Sequence, residues 1–250
     1  RSGEHSELLA KAEASANDDC GLWETNAHRE FVAGLKVEDW TVQRWCAFGI
    51  GNMLAESGTD VQQVVFCSMA LIKALLSAQD GEVAEMCAFA LANGVRTRML
   101  PVETVFSVLV LAGDWLVRGC HRVLGTAVNE TVVQVLAAMS CAITAYPEME
   151  VKQKIQFARI ALNLATDRLS VDAPVCVAAL QILVLFYGQL DTTARIELTG
   201  AEVRGICVAM VAKQPEIYAS MSTGRCTPSQ ALIMSGAFEK VLELRGWIFG

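Results

Sequence analysis

The sequence predicts an all-α fold of stacked helical repeats. Three observations lead there: helical spacing of the apolar residues along nearly the whole chain, a pattern that recurs at a constant offset, and a composition that is 53% hydrophobic and only 19% charged over 250 residues. A chain of this length can bury a large core. Its Val, Leu, Ile and Ala content excludes a disordered tail, and 18 Gly and 5 Pro spread along it exclude collagen-like or linker-like sequence. The net charge of −7 excludes a general nucleic-acid binder, because phosphate binding needs concentrated Lys and Arg. The mean hydropathy of +0.38 raises the question of a membrane. The longest apolar run, residues 173–187, contains Pro174 and Gln181 and falls short of the roughly 20 residues that a spanning helix needs. No transmembrane segment is expected, and the hydrophobicity is assigned to helices buried on more than one side.

Helices are expected at 4–16, 26–35, 40–56, 61–77, 82–95, 102–118, 129–145, 150–166, 173–189, 200–213 and 229–245. Val61, Val64, Val65, Ser68, Leu71, Ile72 and Leu75 fall on one stripe, as do Val151, Ile155, Ala158, Leu162 and Ala165. Both follow the i, i+3, i+4, i+7 rule of an amphipathic helix, and no run alternates with the period of a strand. The punctuation agrees. The carboxylates of Asp60 and Asp80 are placed to accept from the free amides of a first turn. Pro101 and Pro228 suit a first helical turn, with Thr227 as a cap before the latter.

Residues 39–52 and 80–93 align at an offset of 41, with Asp39/Asp80, Val42/Val83, Cys46/Cys87, Ala47/Ala88, Phe48/Phe89 and Asn52/Asn93 identical. Gly49/Ala90, Ile50/Leu91 and Gly51/Ala92 match in size, and Val61, Val64, Val65 and Leu75 fall on Val102, Val105, Phe106 and Leu116. The repeat therefore covers two helices. One such unit cannot bury its apolar face alone, whereas stacked units share a continuous core.

The run Glu82-Val-Ala-Glu-Met-Cys-Ala-Phe-Ala-Leu-Ala-Asn93 resembles the third helix of an armadillo repeat, in the importin-α and β-catenin branch, with small residues, an aromatic, then a small-Leu-small-Asn run. Residues 42–54 resemble the same helix, and the clear resemblance covers roughly 39–118. It implies a right-handed superhelical solenoid of about five armadillo/HEAT-like repeats over residues 37–250, capped by acidic helices in residues 1–36. It also implies a concave groove lined by the third helices. Asn52 and Asn93, with Phe48, Phe89 and Trp45 beside them, would there hold an extended or helical peptide segment of a partner. An Asn amide offers a donor and an acceptor to an extended backbone; the alternative is that each Asn bonds a neighbouring loop. Trp23, Trp40 and Trp45 are either binding anchors or covers for the open end of the stack.

Charge is uneven: residues 1–40 hold four basic and nine acidic residues, among them Glu4, Glu7, Glu13, Asp18, Asp19 and Glu24. These carboxylates compete for or recruit a basic peptide, or form a solvated end. Arg96, Arg98, Arg118 and Arg122 suggest an anionic-partner patch or ordinary cations at helix C-termini. Catalytic constellations are lacking. Cys120 and His121 are neighbours that point apart on a helix, and there is no CxxC, HExxH, GxxxxGK[ST], GxGxxG or GxSxG. No catalytic residue, metal or cofactor is expected. The nine scattered cysteines fit buried free thiols in a reducing, cytoplasmic compartment; the nucleus and a membrane surface are the alternatives. The chain starts at Arg1, so a targeting or lipid signal is expected upstream if one exists. The functional expectation is a non-enzymatic scaffold or adaptor, a monomer or one subunit of a hetero-complex. The rivals are an architectural subunit of a large assembly, an adaptor recruited to a membrane, and an all-α enzyme with a pocket between helices.

Overall fold

The computed structural model describes residues 2–16, 22–23, 25–56, 60–118 and 128–168, with helical positions also at 175, 178–179, 181–182 and 185. These residues form eight helices and no strand: α1 (Ser2–Ala14), α2 (Ala27–Gly34), α3 (Trp40–Ala55), α4 (Val61–Ser77), α5 (Gly81–Arg96), α6 (Val102–Val117), α7 (Val128–Ala145) and α8 (Val151–Arg168). Each lies within two residues of its expected bounds. The expected helices 200–213 and 229–245, and most of 173–189, lie outside the described residues. The chain divides into two compact units, Arg1–Glu148 and Met149–Gly250.

The caps show why the helices begin where they do. Asp39 accepts from the backbone N–H of Thr41 and Val42, and Asp80 from Glu82 and Val83, at distances of 2.9–3.3 Å. Asp60 accepts from Gln62 at 3.0 Å. Each bond satisfies an amide that the first turn leaves free. Pro101 stands at the N-cap of α6 rather than inside its first turn and offers no side-chain bond. Behind α5, Arg98 turns the chain in the left-handed region at φ 59.

The offset of 41 is a property of the backbone as well as the sequence. α3 and α5 start at 40 and 81, α4 and α6 at 61 and 102, and α1, α3 and α5 end at 14, 55 and 96. The end of α1 thus falls in register with the ends of α3 and α5, whereas α2, at 27–34, is shorter than the 20–36 that the offset from α4 would give. Matched positions are buried in pairs: Val42/Val83, Cys46/Cys87, Ala47/Ala88, Ile50/Leu91, Val64/Val105, Cys67/Val108, Leu75/Leu116. Within the first unit the helices form two rows. In one, α1, α3, α5 and α7 pack in succession; in the other, α2, α4 and α6 do so, and all three also pack on the first row.

Two glycines set the closeness of this packing. At Gly49 a Cβ would stand 2.8 Å from ring atoms of Phe31, which is fully buried. At Gly51 a Cβ would stand 3.1 Å from the Cα and Cβ of Ala90, so α3 and α5 meet backbone to backbone. The second unit contains α8, whose Phe157, Ala158, Ala161 and Leu164 are buried.

Candidate interaction face on helices α3 and α5

The first row brings the aromatic residues named above onto adjacent helices. Trp40 opens α3 with 52% of its surface exposed. One turn on, Trp45 and Phe48 are half-buried and meet edge to face, with ring centroids 5.6 Å apart at 90°. The Arg44 guanidinium lies 5.8 Å and 5.9 Å from the Trp40 and Trp45 ring centres, in cation–π range. Arg44 also reaches across to α5 and pairs with Glu82. Phe89, the repeat partner of Phe48, is half-buried on α5, with Cδ1 3.7 Å from the Cβ position of Gly51.

The two asparagines stand differently. Asn93 is buried, with 5% of its surface exposed, and its Nδ2 donates to the carbonyl of Gly51 at 3.1 Å. Asn52 is half-buried, and its Nδ2 donates to Ser15 Oγ at 3.0 Å, just beyond α1. Each amide thus fastens its helix to the preceding helix of the row. Tyr146, just after α7, continues the pattern by donating its O–H to the Val95 carbonyl on α5 at 3.3 Å. In sequence this tyrosine shows no link to the asparagines; only the packing aligns them.

Carboxylates flank the aromatic face. Glu82 and Glu85 lie on α5 and Glu130 on α7. Burial pushes the Glu85 carboxyl above the ordinary carboxylate range, and the charges of Glu130 and then Glu82 add to this. Three acidic groups on two packed helices thus share one electrostatic neighbourhood.

Arg96 and Arg98 do not share a patch with Arg118. Arg96 and Arg98 close α5, are exposed, and act electrostatically on the Cys141 thiol of α7, opposing the larger upward push of burial. Arg98 precedes α6 and Arg118 follows it, so a 16-residue helix, about 24 Å long, separates them. Arg122 lies outside the described residues.

Trp23 is half-buried, and its indole N–H donates to the Met53 carbonyl at 2.9 Å, tying the segment before α2 to the end of α3. Of the acidic residues in 1–40, Glu7 pairs with Lys11 at 3.2 Å, whose ammonium also holds Glu30 at 2.6 Å. Asp18, Asp19 and Glu24 lie outside the described residues.

Cys46, Cys67 and Cys87 are fully buried free thiols, and burial pushes each up to about 12. At that value they are small apolar side chains, not nucleophiles. Among the described residues no three His, Cys, Asp or Glu side chains gather as a metal site, and no helix is long and apolar enough to cross a membrane. Comparison with protein-family models, curated proteins and solved structures returns no match.

Proposed function

We propose that the chain is a non-enzymatic interaction scaffold that holds a segment of a partner protein against the α3–α5 face. In this reading the helix pairs at a 41-residue period belong to a right-handed, armadillo/HEAT-like solenoid, and this face lies in its concave groove. The observation that carries the reading is the aromatic line Trp40, Trp45, Phe48 and Phe89 on two helices packed side by side. Aromatic rings give large contact area at low entropy cost and dominate binding hot spots. Because the amide donors of Asn52 and Asn93 bond within the chain, the rings take the leading role, and the asparagines hold the helices that carry them. The partner segment is basic: Glu82, Glu85 and Glu130 crowd like charge at one side of the face, and a Lys or Arg placed there relieves the repulsion. Buried, unpaired thiols suit a reducing compartment.

The test is selection of peptides from a displayed library of natural protein segments on the folded chain, followed by affinity measurement. Peptides rich in Lys or Arg should be selected. Their affinity should drop about tenfold or more in Trp40→Ala and in Glu130→Lys, both exposed positions, with the thermal melt of each variant measured alongside. Selected peptides that bind both variants as tightly as the parent would remove this face from the reading.

A further inference from the structure

A second surface lies on the other row of helices. α4 is apolar on more than its buried side. Phe66, Met69 and Leu76 are 48%, 38% and 36% exposed. Together with Lys73 they follow the i, i+3, i+7, i+10 spacing of one helix face. Phe66, Met69 and Lys73 of this face line a groove of about 310 Å³ whose opposite wall is the end of α2, with Leu35 and Lys36; Leu76 lies outside it. At its other end the same face of α4 lines a more polar hollow of about 520 Å³ beside Arg29, and Phe66 borders both hollows. From Gln62 to Ser77 the face spans 16 residues, about 22 Å of helix. Beside Met69 and Lys73 the groove floor on α4 is made of the small side chains Ala70 and Ala74. A partner backbone can therefore approach α4 closely between the two rims.

The rims carry the discriminating charge. Arg29, Lys36 and Lys73 border the two hollows against the single carboxylate of Asp60, and Asp60 already accepts from the backbone of α4. None of the three cations takes part in an ion pair among the described residues. The chain as a whole has a net charge of −7, so this groove is a cationic feature on an acidic protein. Its walls are helix faces, and among the described residues no sheet edge is present to take an extended strand. Knobs at helical spacing fit such walls, as in other helix-in-groove complexes.

We infer that the α2–α4 groove is a docking site for an amphipathic helix of a partner protein, about four turns long, with an apolar stripe on Phe66, Met69 and Ala70 and carboxylates facing Lys36 and Lys73. The site is separate from the α3–α5 face and differs from it in the sign of the partner's charge, so the two readings stand or fall independently.

The probes are three. The first is a fluorescein-labelled 15-residue helix with a Leu stripe flanked by Glu. The second is the same helix flanked by Lys. The third is a phosphatidylcholine vesicle with one-fifth phosphatidylserine. Affinity is read by anisotropy and by vesicle co-sedimentation, on the full chain and on Phe66→Ser and a Lys36→Glu, Lys73→Glu double variant; all three residues are exposed, and each variant is checked for an unchanged melt. The Glu-flanked helix should bind the parent and lose about tenfold in each variant. The double variant should now prefer the Lys-flanked helix. Three outcomes overturn the proposal. These are a Lys-flanked helix that equals the Glu-flanked one on the parent, with no reversal in the double variant; vesicles alone binding in a Phe66-dependent way; and a chain that sediments as a dimer dissolved by Phe66→Ser, which assigns the groove to a second copy.

Discussion

Replacing Gly51 by Ala tests the contact that sets the spacing of the first row. An alanine gains about 1 kcal/mol of helix propensity over glycine inside α3. Against that, its Cβ would lie 3.1 Å from both Cα and Cβ of Ala90, inside the 3.5–4.0 Å at which carbon atoms attract. Ala90 Cα is backbone, and α5 is held from its other side by α7, so the strain cannot be relieved by rotating one side chain. Overpacking of this kind costs about 1–3 kcal/mol. Pushing the helices apart also stretches the 3.1 Å bond from Asn93 to the Gly51 carbonyl, worth up to about 1 kcal/mol. The net expectation is a loss of about 1–2 kcal/mol, against the gain that propensity alone would give. Urea unfolding followed by tryptophan fluorescence reads it, because Trp23, Trp40, Trp45 and Trp115 all lie in the first unit. The midpoint should fall by about half a molar or more. Gly3→Ala is the control, since nothing lies within 4 Å of its Cβ position; that variant should be neutral or stabilised. A Gly51→Ala chain as stable as the parent would refute the tight crossing.

Three further outcomes follow from the same structure. Asp39→Ala and Asp80→Ala should each cost about 1 kcal/mol in urea unfolding, because each removes an acceptor shared by two first-turn amides. Asp60→Ala, which frees only one amide, should cost less. His28 is buried, with Nδ1 unpartnered, and burial first and then Arg29 lower its pKa below 6.5. The unfolded imidazole takes up a proton at its ordinary value and the folded one only at lower pH. Stability present above pH 6.5 should therefore be lost as pH falls, and a melt series from pH 5 to 8 should show that His28→Phe removes this component. The thiols of Cys46, Cys67 and Cys87 rise from 9.0 to about 12, so their contribution is complete below pH 9 and lost as pH climbs toward 12. At pH 8 a thiol reagent with peptide mapping should find these three unlabelled in the folded chain and labelled in urea.

Helix boundaries were legible because they are local. Asp39, Asp60 and Asp80 mark starts through bonds to amides two or three residues away, and the apolar spacing of α3 to α7 reports a 3.6-residue period whatever lies beside it. The roles of the candidate site residues were less legible. Phe48 and Phe89 do lie on neighbouring helices, but the sequence could not tell whether the Asn52 and Asn93 amides face a partner or an adjoining helix, since either environment satisfies the same donor. Arg96, Arg98 and Arg118 look close in sequence but bracket a whole helix. The α2–α4 groove left no signature at all. In α4 Phe66, Met69 and Leu76 are apolar like the buried Leu71, Ile72 and Leu75, and hydrophobicity does not say which face has a neighbour.

The sequence by itself determined that the described part of this chain is helical, where its helices begin and end, and that the helix pair α3–α4 recurs as α5–α6 at an offset of 41 residues, because caps, periodicity and repetition are encoded within one or two turns. Only the tertiary structure decided which matched positions are pressed together at Gly51 and Ala90, which polar groups are consumed as fasteners, and which apolar stripe is left facing outward with lysines on its rims. Those depend on what each helix meets across a gap of a few ångströms, and the residue that fills the gap comes from another part of the chain.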